Sequence, residues 1–167
     1  MTITRHQQID RPKITPYLWF DDNAKEAMEY YVSIFKNSRV LEEVTYNNSG
    51  PDGDQTVYTC SFELDGQRFS AMSAGPYFKF NEAVSFYINC EDQAEVDYFW
   101  EKLSADPESE QCGWVKDKFG VSWQIVPKQL DELANVPDKE QSKRVMHAML
   151  KMKKLIISEL EAAAEGK

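Results

Sequence analysis

The sequence predicts an α+β fold: two β-α-β-β-β modules in tandem over residues 13–76 and 83–127, then a C-terminal helix over 138–165, within one domain of 1–167. Three observations predict it. Short runs that alternate apolar and polar residues are separated by turn signals. One strand-then-helix grammar occurs twice, seventy positions apart. After Pro127 the apolar spacing becomes that of a helix.

The first strand is Ile14 to Phe20 (ITPYLWF). Asp22 and Asn23 offer a cap for a helix through Phe35, on which Ala24, Met28, Tyr31 and Phe35 share a face. Strand-like segments follow at Arg39 to Asn47, Thr56 to Leu64 and Gln67 to Ala74, the last two joined by Asp65-Gly66, a tight hairpin signal. The grammar returns in VSFYINCEDQAEVDYFWEKL: Ile14 answers Val84, Thr15 Ser85, Tyr17 Tyr87 and Asp22 Asp92. There Val96, Phe99, Trp100 and Leu103 form the helix stripe, and strands are expected near Gln111 to Lys116 and Val121 to Pro127, turning through Gly120. Beyond them Asp138 and Gln141 resemble a capping box, and Val145, Met149, Met152, Ile156 and Leu160 recur along one amphipathic arm. Between Asn47 and Gln55 the polar loop NNSGPDGDQ is positioned to drape over a pocket.

A net charge of −9 repels phosphate backbones and anionic lipid, so neither nucleic acid nor a membrane surface is an expected partner. No stretch approaches the ~20 apolar residues of a membrane span, and the first residues lack a signal peptide's apolar run. Three cysteines, Cys60, Cys90 and Cys112, are widely spaced and form neither a zinc motif nor a disulfide framework. A soluble protein of the reducing cytoplasm is expected.

The stretches ITPYLWFDDNAKEAMEYYVSIFKNS, EDQAEVDYFWEKL, CGWVKDKFGVSWQIVP and VMHAMLKMKKL together resemble the PhnB-like branch of the vicinal oxygen chelate superfamily, which includes glyoxalases, bleomycin resistance proteins and dioxygenases. Members of the branch are often labelled 3-demethylubiquinone-9 3-methyltransferase domain proteins. The resemblance implies paired modules that curl into glyoxalase-like half-barrels around a cleft, and a homodimer. In catalytic members it also implies a divalent metal held from four strands, at positions that fall here on Thr15, Ser70, Ser85 and Gln124. Gln124 stands where catalytic members usually carry glutamate. Three hydroxyls and an amide are weak ligands that offset none of a cation's charge, so no metal and no cofactor is expected. The two histidines, His6 and His147, lie outside the strands.

Strand alternation sets Thr15, Tyr17 and Trp19 toward the cleft and Ile14, Pro16, Leu18 and Phe20 toward the helix. Ser70 and Met72 join the cleft set. In the second module Ser85, Tyr87 and Asn89 face it with Trp114, Ser122, Gln124 and Val126, while Val84, Phe86, Ile88, Val121, Trp123 and Ile125 enter the core. Aromatic faces with a few hydroxyls and one amide suit a small, flat organic ligand. The candidate binding residues are therefore Thr15, Tyr17, Trp19, Ser70, Met72, Ser85, Tyr87, Trp114 and Gln124, with no catalytic residue assigned. Two other readings stay open. One is a lyase, isomerase, dioxygenase or quinone-modifying transferase acting on an aromatic or quinone-like substrate. The other is a structural dimer whose aromatics fill the barrel. No G-x-G-x-x-G loop is present to admit a nucleotide-type methyl donor.

Overall fold

The computed structural model describes residues 12–48 and 55–167, and the expected draping loop falls mostly outside them. The chain forms two compact units, Met1–Lys79 and Phe80–Lys167.

In the first unit β1 (Tyr17–Phe20) leads to α1 (Ala24–Ile34), then β2 (Arg39–Tyr46), β3 (Val57–Leu64) and β4 (Gln67–Ser73). The sheet order is β1-β4-β3-β2, with β1 parallel to β4 and the other pairs antiparallel. Alternation buries Leu18, Phe20, Cys60, Phe62, Phe69 and Ala71, and α1 turns Ala24, Ala27, Met28, Tyr31 and Ile34 inward. Phe62 stacks on Phe69 at 5.6 Å and on Tyr31 at 6.4 Å, and each fully buried side chain of this kind contributes about 1.5–3 kcal/mol. Asp65 and Gly66 both take positive φ, as the tight hairpin requires. Asn23 is the N-cap of α1, but its side chain makes no capping bond. Ser73 of β4 supplies the acceptor instead, taking the Ala24 N–H at 3.0 Å and joining the helix start to the sheet.

The second unit contains β5 (Phe86–Cys90), α2 (Gln93–Leu103), a single 3-10 turn, β6 (Trp114–Lys116) and β7 (Ser122–Pro127), in the sheet order β5-β7-β6. Asp92 caps α2 as expected, accepting from the Glu95 N–H. This sheet has three strands where four were expected. Asp106 caps a turn at Pro107–Ser109, so the segment between α2 and β6 is used up in a loop, and Gln111 makes only an isolated bridge to Trp114. The two mixed sheets and five helices among the described residues make an α+β, glyoxalase-like fold.

The expected helix over 138–165 is instead two helices, α4 (Lys139–Met149) and α5 (Ile157–Glu165), preceded by the short α3 (Lys128–Ala134). The reason lies outside the segment: the carbonyls of Met152 and Lys153 accept from the backbone N–H groups of Cys112 and Gly113, at 2.9 and 2.8 Å. Those bonds replace helical ones, and Leu155 becomes fully buried. The apolar stripe packs within its own unit, where Val126, Leu130, Val145, Leu155, Leu160 and Ala164 form one cluster with Met149 and Met152 against it. Asp138 caps α4 through the N–H groups of Glu140 and Gln141. Both ends of α5 are tied by side chains from other helices. Gln93 of α2 accepts from the Ile157 N–H at 2.8 Å, while Arg144 of α4 donates to the carbonyls of Ala163 and Ala164.

Gly113 is the tightest point of this junction. A Cβ there would lie 2.9 Å from the Ile125 carbonyl oxygen and 3.2 Å from Leu155, and its φ is +85°. Gly120 also has positive φ, +87°, but open space around it. Gly113→Ala is expected to lower the unfolding free energy by about 3 kcal/mol through strain plus overpacking, and Gly120→Ala by about 1 through strain alone. Urea denaturation of the two variants measures the difference.

Candidate functional site

In the second unit, β7 lies between β5 and β6, so that Gln124 has Tyr87 on one side and Trp114 on the other in register. All three project from the face opposite Trp123 and Ile125, which are buried. Gln124 donates from Nε2 to Ser85 Oγ at 2.8 Å. Ser85 directly precedes β5, so this bond brings a third expected site residue to the same face.

The hairpin carrying Trp114 and Gln124 is set by Asp117. Its buried carboxylate accepts from the N–H groups of Phe119 (2.9 Å) and Val121 (3.0 Å) and from the indole N–H of Trp123 (2.8 Å). Asp117 and Val121 also close the backbone turn, with Gly120 N–H donating to the Asp117 carbonyl. Asp117 was not among the residues singled out from the sequence. The available signal was an aspartate followed by a glycine turn and, six residues on, a tryptophan whose N–H needs an acceptor.

In the first unit, Tyr17 pairs with Ser70 and Trp19 with Met72 across β1 and β4, which places four expected residues on one face, with Thr15 half-buried just before β1. The Trp19 indole donates to the Gly75 carbonyl at 2.9 Å, and the ring meets Tyr77 and Phe78 edge-on at 6.3 and 5.1 Å. These two exposed aromatics were not singled out by sequence.

Three expectations are corrected. Ile14 and Val84, assigned to the core, are 86% and 68% exposed because β1 and β5 begin after them. Val126, assigned to the cleft, is claimed by the apolar cluster of the C-terminal helices. Ser122 does lie on the Gln124 side of β7, yet it is buried.

A family profile described as 3-demethylubiquinone-9 3-methyltransferase matches residues 12–126, more than half of the chain. The chain belongs to this family. A Bacillus cereus structure, provisionally described as a 3-demethylubiquinone-9 3-methyltransferase, PhnB protein, is 34% identical with a TM-score of 0.58, covering 70% of this chain and 99% of its own. A Pseudomonas aeruginosa structure at 19% identity shares the fold with a TM-score of 0.53, covering 70% of this chain and 98% of its own. Comparison with curated proteins finds no match.

The metal that the wider resemblance implies does not fit this PhnB-like chain. Of the four ligand positions Thr15, Ser70, Ser85 and Gln124, none supplies a charge, and the Gln124 amide nitrogen is already a donor to Ser85. Among the described residues no group of three His, Cys, Asp or Glu side chains is placed to hold an ion.

Phenol chemistry is equally restrained. Tyr17 is raised above its ordinary value of 10.0, first by burial and then by Cys60 and Tyr46. Tyr87 is raised by burial, then by Asp131 and Cys90. Both stay protonated near neutral pH, able to donate hydrogen bonds but not to act as bases. The buried thiols behave similarly: burial pushes Cys60 up to about 11 and Cys90 up to about 12, with nearby carboxylates adding to each.

Outcomes follow for the turn and for the thiols. Asp117→Ala should cost about 3 kcal/mol or more in urea unfolding, because three buried donors lose their acceptor. Asp117→Asn should recover only part of that, since its NH₂ faces donors. The thiols set a pH dependence: folded values above the ordinary 9.0 stabilise fully below pH 9, and this contribution is lost as pH rises through about 11 to about 12. Thermal unfolding should therefore decline above pH 9, less steeply in Cys60→Ala/Cys90→Ala. A thiol reagent at pH 8 should label the half-buried Cys112 in the native protein while sparing Cys60 and Cys90.

Proposed function

We propose that this PhnB-like protein binds a small, flat organic ligand on its open sheet faces without a resident metal, as a sequestering or accessory protein. One observation carries the reading: Gln124, at the position where catalytic relatives of the resembled superfamily place a carboxylate, is a neutral amide held by Ser85 and flanked in register by Tyr87 and Trp114. Rings supply area and the amide and hydroxyls supply orientation. Tyr17, Trp19, Ser70 and Met72 offer a second surface of the same chemistry in the first unit.

The proposed assembly is a homodimer, supported by apolar side chains left exposed on both units, among them Val40, Tyr46, Met146 and Leu150. The proposed compartment is the cytoplasm, which suits three free cysteines. No helix among the described residues is long and apolar enough to cross a membrane.

The family's name favours a second reading, a transferase acting on a quinone-like substrate. Its methyl donor would need a pocket other than a glycine-rich loop, because the seven glycines form no such motif. Turnover that survives chelation and is lost in Gln124→Ala would establish it.

Thermal-shift measurement with aromatic metabolites and quinones tests the binding reading. A true ligand at about 100 times its Kd adds ~2.7 kcal/mol, and Gln124→Ala should weaken the effect. Zinc, manganese and nickel should leave unfolding unchanged. One tightly held divalent ion per chain, found by elemental analysis of protein prepared without chelator, would overturn the proposal.

A further inference from the structure

We infer that the open face of β5-β7-β6 selects ring-bearing ligands that carry a positively charged nitrogen, with Asp131 at its rim as the group that attracts the charge. The inference rests on the reading of that face as a ligand surface, and it adds the charge of what the face takes.

Two rings stand there with Gln124 between them in register: Tyr87 on β5, 52% exposed, and the half-buried Trp114 on β6. Neither ring has an aromatic or cationic partner among the described residues. The face of an aromatic ring is electron-rich and attracts a cation. Gln124 gives its amide N–H to Ser85, and its Oε1, the negative end of the amide dipole, accepts no hydrogen bond among the described residues.

One end of this face is closed by a helix. Val126, two positions beyond Gln124 on β7, is covered by the cluster that includes Leu130 of α3. Gln129 of α3 also reaches the Glu91 carbonyl, just past the end of β5. Asp131 follows Leu130 and is exposed, and its carboxylate has no hydrogen bond or ion pair among the described residues. Its charge is felt on the face, because the Tyr87 phenol is raised first by burial and then by Asp131. The lysines on the adjoining elements are already answered: Lys116 of β6 pairs with Glu82 and Lys128 of α3 with Glu91.

The balance of charge then decides what fits. An anion would meet the Asp131 carboxylate in a chain of net charge −9. A neutral ring gains only buried area. A ring with a fixed cation gains that area together with two π-faces, an amide oxygen and a carboxylate.

A matched pair of probes tests this: 4-(trimethylammonio)benzyl alcohol, and 4-tert-butylbenzyl alcohol, which has the same shape without the charge. Binding is measured by calorimetry at low and high salt. At low salt wild type should prefer the cation by about tenfold, the worth of two exposed cation–π contacts and one nearby carboxylate. Asp131→Asn should lower that preference about threefold, keep the affinity for the neutral probe and melt at the wild-type temperature, since the side chain is exposed. Salt should erode the preference in wild type more than in Asp131→Asn. Glu161→Gln, which removes an equal charge from the exposed surface of α5, should leave the preference unchanged. Tyr87→Leu should reduce it. Equal binding of the two probes to wild type would overturn the inference while leaving ring binding intact. An undiminished preference in Asp131→Asn, or an equal loss in Glu161→Gln, would also overturn it, the latter by showing attraction to net charge alone. Failure of both probes to bind would remove the ligand reading itself and the inference with it.

Discussion

The carboxylate of Asp117 is the constraint on which the second sheet depends. A short hairpin between β6 and β7 has few ladder bonds to fix its register, and a slip of one residue would exchange every inward and outward side chain. Three N–H donors converging on one buried acceptor remove that freedom. With the turn fixed, Val115 meets Trp123 in the core and Trp114 meets Gln124 on the open face. The indole bond reaches further, because Trp123 packs on Phe86 of β5 at 5.3 Å and so carries the alignment to the third strand. One acidic side chain thus sets which residues stand on the open face.

Much of the architecture was legible because it is written in local chemistry. Asp65-Gly66, Asp92 and Asp138 do what their positions imply, and the alternation in ITPYLWF separates Leu18 and Phe20 from Tyr17 and Trp19. The repeat also carried an error twice: Ile14 and Val84 occupy equivalent places, and both lie just before their strands in solvent. Features that depend on distant partners were not legible. The span from Leu150 to Ile156 contains no glycine or proline, so its helical period runs on unbroken in the sequence. What interrupts it are two N–H groups at Cys112 and Gly113, some forty residues away. Of the site, the face was readable and the bonds within it were not. Nothing in the sequence says that Gln124 engages Ser85, or that the buried Ser122 hydroxyl lacks a partner among the described residues.

The neutral character of that face follows from the same economy of charge. Two carboxylates are engaged elsewhere, Asp117 in the turn and Glu82 with Lys116, while the charge of Asp131 helps hold the Tyr87 proton in place. The phenol of Tyr87 holds its proton. What that face presents is aromatic surface and weak, directional polarity.

The last helix has no loose end at which to unravel. A helix of nine residues would fray in water, yet Gln93 holds the first turn of α5 and Arg144 the last. Its body buries Leu160 and Ala164 against Val126, two positions along the same strand from Gln124. The tail of the chain is consequently a keystone of the second sheet. Disturbing either clasp would be felt through Val126 as far as Gln124.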